Sequence, residues 1–71
     1  MLIKDDTAIL WMVIRSDDNG PAYIMQENMT ETDAIDLVLE YTAKKHKQLY
    51  QALSYTTATR ETLIEKERIL I

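Results

Sequence analysis

The chain has 71 residues, a net charge of −4, one glycine, one proline, one histidine and no cysteine. That length holds one domain, 1–71, which buries only about 60–65% of its unfolded surface and is marginally stable without help. Lack of cysteine excludes disulfides and thiolate metal sites, and a single histidine argues against a zinc cluster, so no cofactor or metal is expected and oligomerisation is the remaining source of stability.

The charge is uneven. Residues 1–33 carry two bases against seven acids, whereas residues 34–71 carry six bases against five acids. An acidic chain is repelled by nucleic-acid phosphates unless its bases gather on one face. The N-terminus, Met1-Leu2-Ile3-Lys4-Asp5-Asp6, lacks the basic region of a signal peptide. The longest apolar run is seven residues, short of the roughly 20 that span a bilayer. The expectation is a cytoplasmic protein with no membrane partner.

Met1–Lys4 form an optional extra strand or extend the first one. Ala8-Ile9-Leu10-Trp11-Met12-Val13-Ile14 is an unbroken apolar run inside a strand predicted over residues 7–15. A strand alternates its side chains between two faces, so this run makes both faces apolar and each needs a cover. One cover is the chain's own helix. The other is a second copy, a foreign partner or the C-terminal segment. Ser16-Asp17-Asp18-Asn19-Gly20-Pro21 then turns the chain, with Asn19-Gly20 tolerating the positive φ of tight hairpin turns. A returning strand over residues 22–28 completes a hairpin of about 7–28.

Thr30-Glu31-Thr32-Asp33 starts a helix, with Thr30 as cap and the acids at the positive end of the dipole. From there to Tyr55 no glycine or proline intervenes, and Ile35, Val38, Leu39, Leu49 and Leu53 fall at helical spacing. Residues 54–59 (Ser-Tyr-Thr-Thr-Ala-Thr) are poor helix formers, so they are either a turn or a weak stretch of one long helix. Residues 60–70 are helical in composition, with a terminal strand at Arg68–Ile71 as the lesser alternative. Positions 35, 39, 42, 46, 49, 53, 56, 60, 63, 67 and 70 also step as a weak heptad seam, which suggests helices packed side by side. The expected fold is therefore α+β: an N-terminal antiparallel hairpin packed on one long or two consecutive C-terminal helices, over about residues 31–70.

Little in the chain carries chemistry. Asp17-Asp18-Asn19-Gly20 does not make a calcium loop, because Arg15 and Gln26 fall where acidic ligands are required. His46 has no second histidine or cysteine to work with. The adjacent pairs Asp5-Asp6 and Asp17-Asp18 sit in turns, not in the desolvated geometry of acid–base work. The expectation is no catalytic residue and no enzyme.

The candidate partner interface is Tyr41, Tyr50, Tyr55 and Trp11, since aromatics bury much area with few rotors. The candidate basic contact is Lys44, Lys45 and Lys47. The leading function is non-catalytic protein binding, as an inhibitor, adaptor or regulator acting as a homodimer. A small dimeric DNA-binding regulator using the lysine-bearing helix comes second, and a structural subunit of a larger assembly third.

Overall fold

In a computed structural model, residues 7–17, 20–44 and 47–70 are described. The elements in chain order are β1 (Leu10–Ser16), β2 (Ala22–Met29), α1 (Glu31–Ala43), β3 (Leu49–Tyr55), α2 (Arg60–Lys66) and β4 (Ile69–Leu70). They build one four-stranded sheet in the order β3-β1-β2-β4. β1 runs antiparallel to both β2 and β3, and β4 joins β2 in parallel. The expected extra strand at Met1–Lys4 lies outside the described residues.

The α+β class holds, but the expected hairpin on consecutive C-terminal helices does not. β3 interrupts the region read as helical, and β4 ends it. The physical reason lies in β1. A strand buried on both faces is also central, and each of its two edges carries backbone N–H and C=O groups that need partners. The hairpin with β2 satisfies one edge. Leu49–Tyr55 supplies the other, in an unbroken register from Leu10↔Tyr55 to Ser16↔Leu49. The apparent helical stripe joined Ile35, Val38 and Leu39 of a helix to Leu49 and Leu53 of a strand. The heptad seam fails for the same reason, since α1 and α2 join separate hydrophobic clusters.

Thr30 begins α1 as expected, its Oγ1 accepting from the Asp33 N–H at 3.2 Å. The expected Asn19-Gly20 turn joins β1 to β2, but only part of it falls within the described residues. Asn19 lies outside the described residues, and Gly20 does not adopt a positive φ. Its N–H donates to the Asp17 carbonyl at 3.0 Å. A Cβ at position 20 would stand 3.2 Å from the Asp17 Cβ, so the site favours a small residue for space.

From Leu10 to Ile14 both faces of the apolar run are covered from within the chain, while Ala8 and Ile9 are exposed. Trp11 and Val13 meet Ala34, Leu37 and Val38 of α1, with Met25, Met29 and Ala52. Leu10, Met12 and Ile14 meet Leu63 and Ile64 of α2 and Ile69 of β4, with Ala22, Ile24, Leu53 and Tyr55. The second face therefore takes the C-terminal segment as its cover. Ile35 and Leu39, expected on the core stripe, are exposed.

The segment after β3 turns twice on side-chain and backbone devices. Thr56 and Thr59 lock together, the Thr56 N–H donating to Thr59 Oγ1 at 2.9 Å and the Thr59 N–H to Thr56 Oγ1 at 3.2 Å. α2 follows, and its C-terminal end is closed by the Glu67 and Arg68 N–H groups donating to the Leu63 and Glu65 carbonyls. Arg68 takes a φ of 54°, which redirects the chain into β4. The expected helix over 60–70 thus stops at Lys66, and a short form of the alternative terminal strand takes its place.

Candidate functional site

α1 rests its inward stripe on the sheet, and one turn beyond Val38 that stripe brings Tyr41 onto β3. Tyr41 and Tyr50 stack with ring centroids 5.2 Å apart and planes inclined by 29°. Lys44, the residue that ends α1, places Nζ 4.6 Å from the Tyr41 centroid. A cation over a ring face and at a helix C-terminus is favourable on both counts.

Tyr50 also begins a row across the sheet. It pairs with Arg15 of β1, which pairs with Tyr23 of β2, which pairs with Leu70 of β4. Paired residues share a face, and this is the α1 face, because Arg15 alternates with Val13 and Tyr50 with Ala52. The Arg15 guanidinium lies 5.8 Å from the Tyr23 centroid. Arg15 Nε also faces Asp17 Oδ1 at 3.7 Å, an ion pair longer than a hydrogen bond. α1 covers the β3 and β1 end of the row, leaving Tyr23 at 38% and Leu70 at 50% exposure. The result is a strip of aromatic, cationic and aliphatic side chains, with Lys44 over Tyr41 at its other end.

The four aromatic candidates separate in the structure. Tyr41 is half-buried at the surface, and Tyr50 is buried beneath it. Trp11 is half-buried against the α1 cluster. Tyr55 is buried and points inward, where its hydroxyl accepts from the Asn28 N–H at 2.9 Å and donates to Asn28 Oδ1 at 3.1 Å. Asn28 holds a φ of 59° at the end of β2 where the register with β1 shifts, and asparagine tolerates that conformation. Beside it, Glu27 receives two hydrogen bonds from Arg60, at 2.8 and 3.0 Å. Those bonds hold the Glu27 carboxyl below the usual carboxylate range. Both contacts fasten β2 to the C-terminal half of the chain.

Of the candidate basic contact, Lys44 and Lys47 lie outside the body of any described helix. α1 ends at Ala43, so Lys44 caps it and Lys47 lies in the connection to β3. Lys45 and His46 lie outside the described residues, as do Asp5, Asp6 and Asp18. Arg15, Tyr23 and Leu70 escaped the sequence reading because only the strand register brings them together. Among the described residues there is no pocket and no group of three or more His, Cys, Asp or Glu placed to hold a metal. No helix among them is long and apolar enough to cross a membrane. Compared with known proteins, the chain matches no protein-family profile, no curated protein and no solved structure.

Proposed function

We propose that the chain is a non-catalytic protein-binding protein, an inhibitor, adaptor or regulator that acts as a homodimer. The observation that carries this reading is the strip formed by Tyr41, Arg15, Tyr23 and Leu70. Tyrosine and arginine dominate binding hot spots because they offer large contact areas with directional polar ends. Here two of the rings already hold cations against their faces, which preorganises them and lowers the entropy lost on binding.

The test is retention of a partner by the immobilised chain, followed by titration of the purified partner against wild type, Tyr23→Ala and Arg15→Ala. Both side chains are partly exposed, so the variants keep the wild-type circular dichroism spectrum. Each is expected to weaken binding by about tenfold or more, the loss typical of a hot-spot residue. Retention of no specific protein, or unchanged affinity in both variants, would refute the reading. Retention of nucleic acid, with an affinity that falls steeply as salt rises, would replace it with the nucleic-acid reading.

A further inference from the structure

We infer that the chain pairs with a second copy of itself through the outer edge of β3, extending one sheet across two protomers and placing the two α1 helices side by side. This rests on the reading of the chain as a dimeric binding protein and names the surface that makes the dimer.

The two edges of the sheet differ. β4 is two residues long, a form of edge that cannot template much pairing. β3 is seven residues, Leu-Tyr-Gln-Ala-Leu-Ser-Tyr, and among the described residues it is the opposite edge. It contains no charge and no proline, and its register with β1 has no bulge. Those are the devices that normally keep an edge from pairing, and this edge has none of them.

The helix above it is built to follow. β2 and β3 both run antiparallel to β1, so they are parallel to each other and β2–α1–β3 is a crossover unit. Such units are right-handed in about 98% of cases. With Ala34, Leu37 and Val38 against the sheet, that hand turns Ile35 and Leu39 to the flank beyond β3. These two residues are 42% and 61% exposed, one turn apart on α1.

Antiparallel pairing of β3 with its copy requires a two-fold axis normal to the sheet. That axis keeps both α1 helices on one face and runs them antiparallel. α1 packs on both β3 and β1, and an axis midway between them would lie half a strand spacing inside the edge. With strands roughly 4.8 Å apart, the two helix axes then lie about 10 Å apart, at the upper end of ordinary helix packing. Ile35 and Leu39 meet their own copies. The charges also match, as an isologous interface requires. Glu31 in the acidic first turn of one α1 comes toward the partner copy's connection after α1, which carries the exposed Lys47.

Sedimentation equilibrium of the full chain, from low to high micromolar concentration, tests the inference together with hydrogen exchange. Wild type is expected to dimerise, and the amides of residues 51–54 to gain protection as concentration rises. Leu39→Glu, at an exposed helical site that the fold tolerates, is expected to weaken the dimer by about thirtyfold or more. Glu31→Lys is expected to weaken it severalfold, and Lys47→Glu added to it to restore part of the loss. A folded monomer throughout the range, a dimer insensitive to Leu39→Glu, or concentration-independent exchange of those amides would overturn it. A monomer that still binds a foreign protein through Tyr23 and Arg15 overturns the interface and leaves the binding function standing.

Discussion

Tyr55→Phe removes a single oxygen, and that oxygen joins β3 to the irregular end of β2. In wild type the hydroxyl accepts from the Asn28 N–H at 2.9 Å and donates to Asn28 Oδ1 at 3.1 Å. The ring is only 4% exposed, so phenylalanine keeps the packing and the loss is confined to hydrogen bonding. A net hydrogen bond contributes about 0.5–1.5 kcal/mol, and an unsatisfied buried group costs about 1–3 kcal/mol. Asn28 is itself exposed, so water reaches its carbonyl oxygen and places that bond at the lower end. The expected loss is about 1–2 kcal/mol, which for a domain of this size lowers Tm by roughly 5–12 °C. Urea unfolding followed by circular dichroism measures it, with the midpoint falling and the slope unchanged. A second substitution sharpens the result. Asn28→Gly relieves the φ of 59° but sacrifices the side-chain bond in wild type. In the Tyr55→Phe background there is no hydroxyl bond left to sacrifice, so the same change should become more favourable by about 1 kcal/mol. A Tyr55→Phe stability within about 0.3 kcal/mol of wild type, or strictly additive effects of the two changes, would refute the reasoning.

Arg68 adopts a φ of 54° directly after α2, a conformation that glycine enters without the Cβ penalty. Arg68→Gly should therefore stabilise the chain by about 0.5–1 kcal/mol in urea unfolding, despite the added freedom of the unfolded state, and a net loss would contradict that balance. Thr30→Ala removes the oxygen that caps the Asp33 N–H and should cost about 1 kcal/mol, read from the same transition. Glu27, bonded at both oxygens by Arg60, has its folded pKa below the ordinary value of 4.5. A depressed carboxylate contributes stability that is fully present above its unfolded pKa and is lost as pH falls through its folded pKa. Acid titration of wild type should lose that contribution below about pH 4.5, and Arg60→Met should flatten the acid limb. Identical acid limbs in the two proteins would show that the pair does not couple to folding.

How much of this fold is readable from residues depends on the range over which its causes act. The hairpin of β1 and β2 is written locally, as an apolar run, a turn cluster and a second run. The start of α1 is local as well, since Thr30 and Asp33 are three residues apart. β3 is not local. Leu49–Tyr55 has a spacing that satisfies a helix about as well as a strand, and only the unpaired second edge of β1 distinguishes them. That requirement follows from Ala8–Ile14 being apolar on both faces, so the signal was present, though at a distance of some forty residues. β4 is two residues long and is placed by Arg68 and by pairing with β2, so no pattern within the segment announces it.

The candidate site divides along the same line. Tyr41 was accessible to sequence reasoning because it flanks the helical stripe at the surface. Tyr50 and Tyr55 looked like helix-surface aromatics only while β3 was read as helix. Five residues apart on a strand, they face opposite sides, one under Tyr41 and one toward Asn28. Arg15, Tyr23 and Leu70 come from three strands, and no spacing along the chain relates them. Register alone does.

That geometry changes what the apolar run implies about association. Seven apolar residues on both faces of a strand suggested a partner lying against the sheet. In the structure both faces of β1 are taken by α1 and by α2 with β4, and both its edges by β2 and β3. The central strand has nothing left to offer another molecule. Among the described residues, three features lie outside that core: β3 as an edge strand, the exposed Ile35 and Leu39 flank of α1, and the exposed Tyr23–Leu70 end of the cross-sheet row. In the inferred dimer the first two form one self-complementary seam with a second copy. The third lies across the sheet from β3, toward the opposite edge, so a β3-paired dimer leaves it open in both protomers. One surface can therefore build the dimer while the other, present twice, engages a different protein, and a variant in either should leave the other's binding intact.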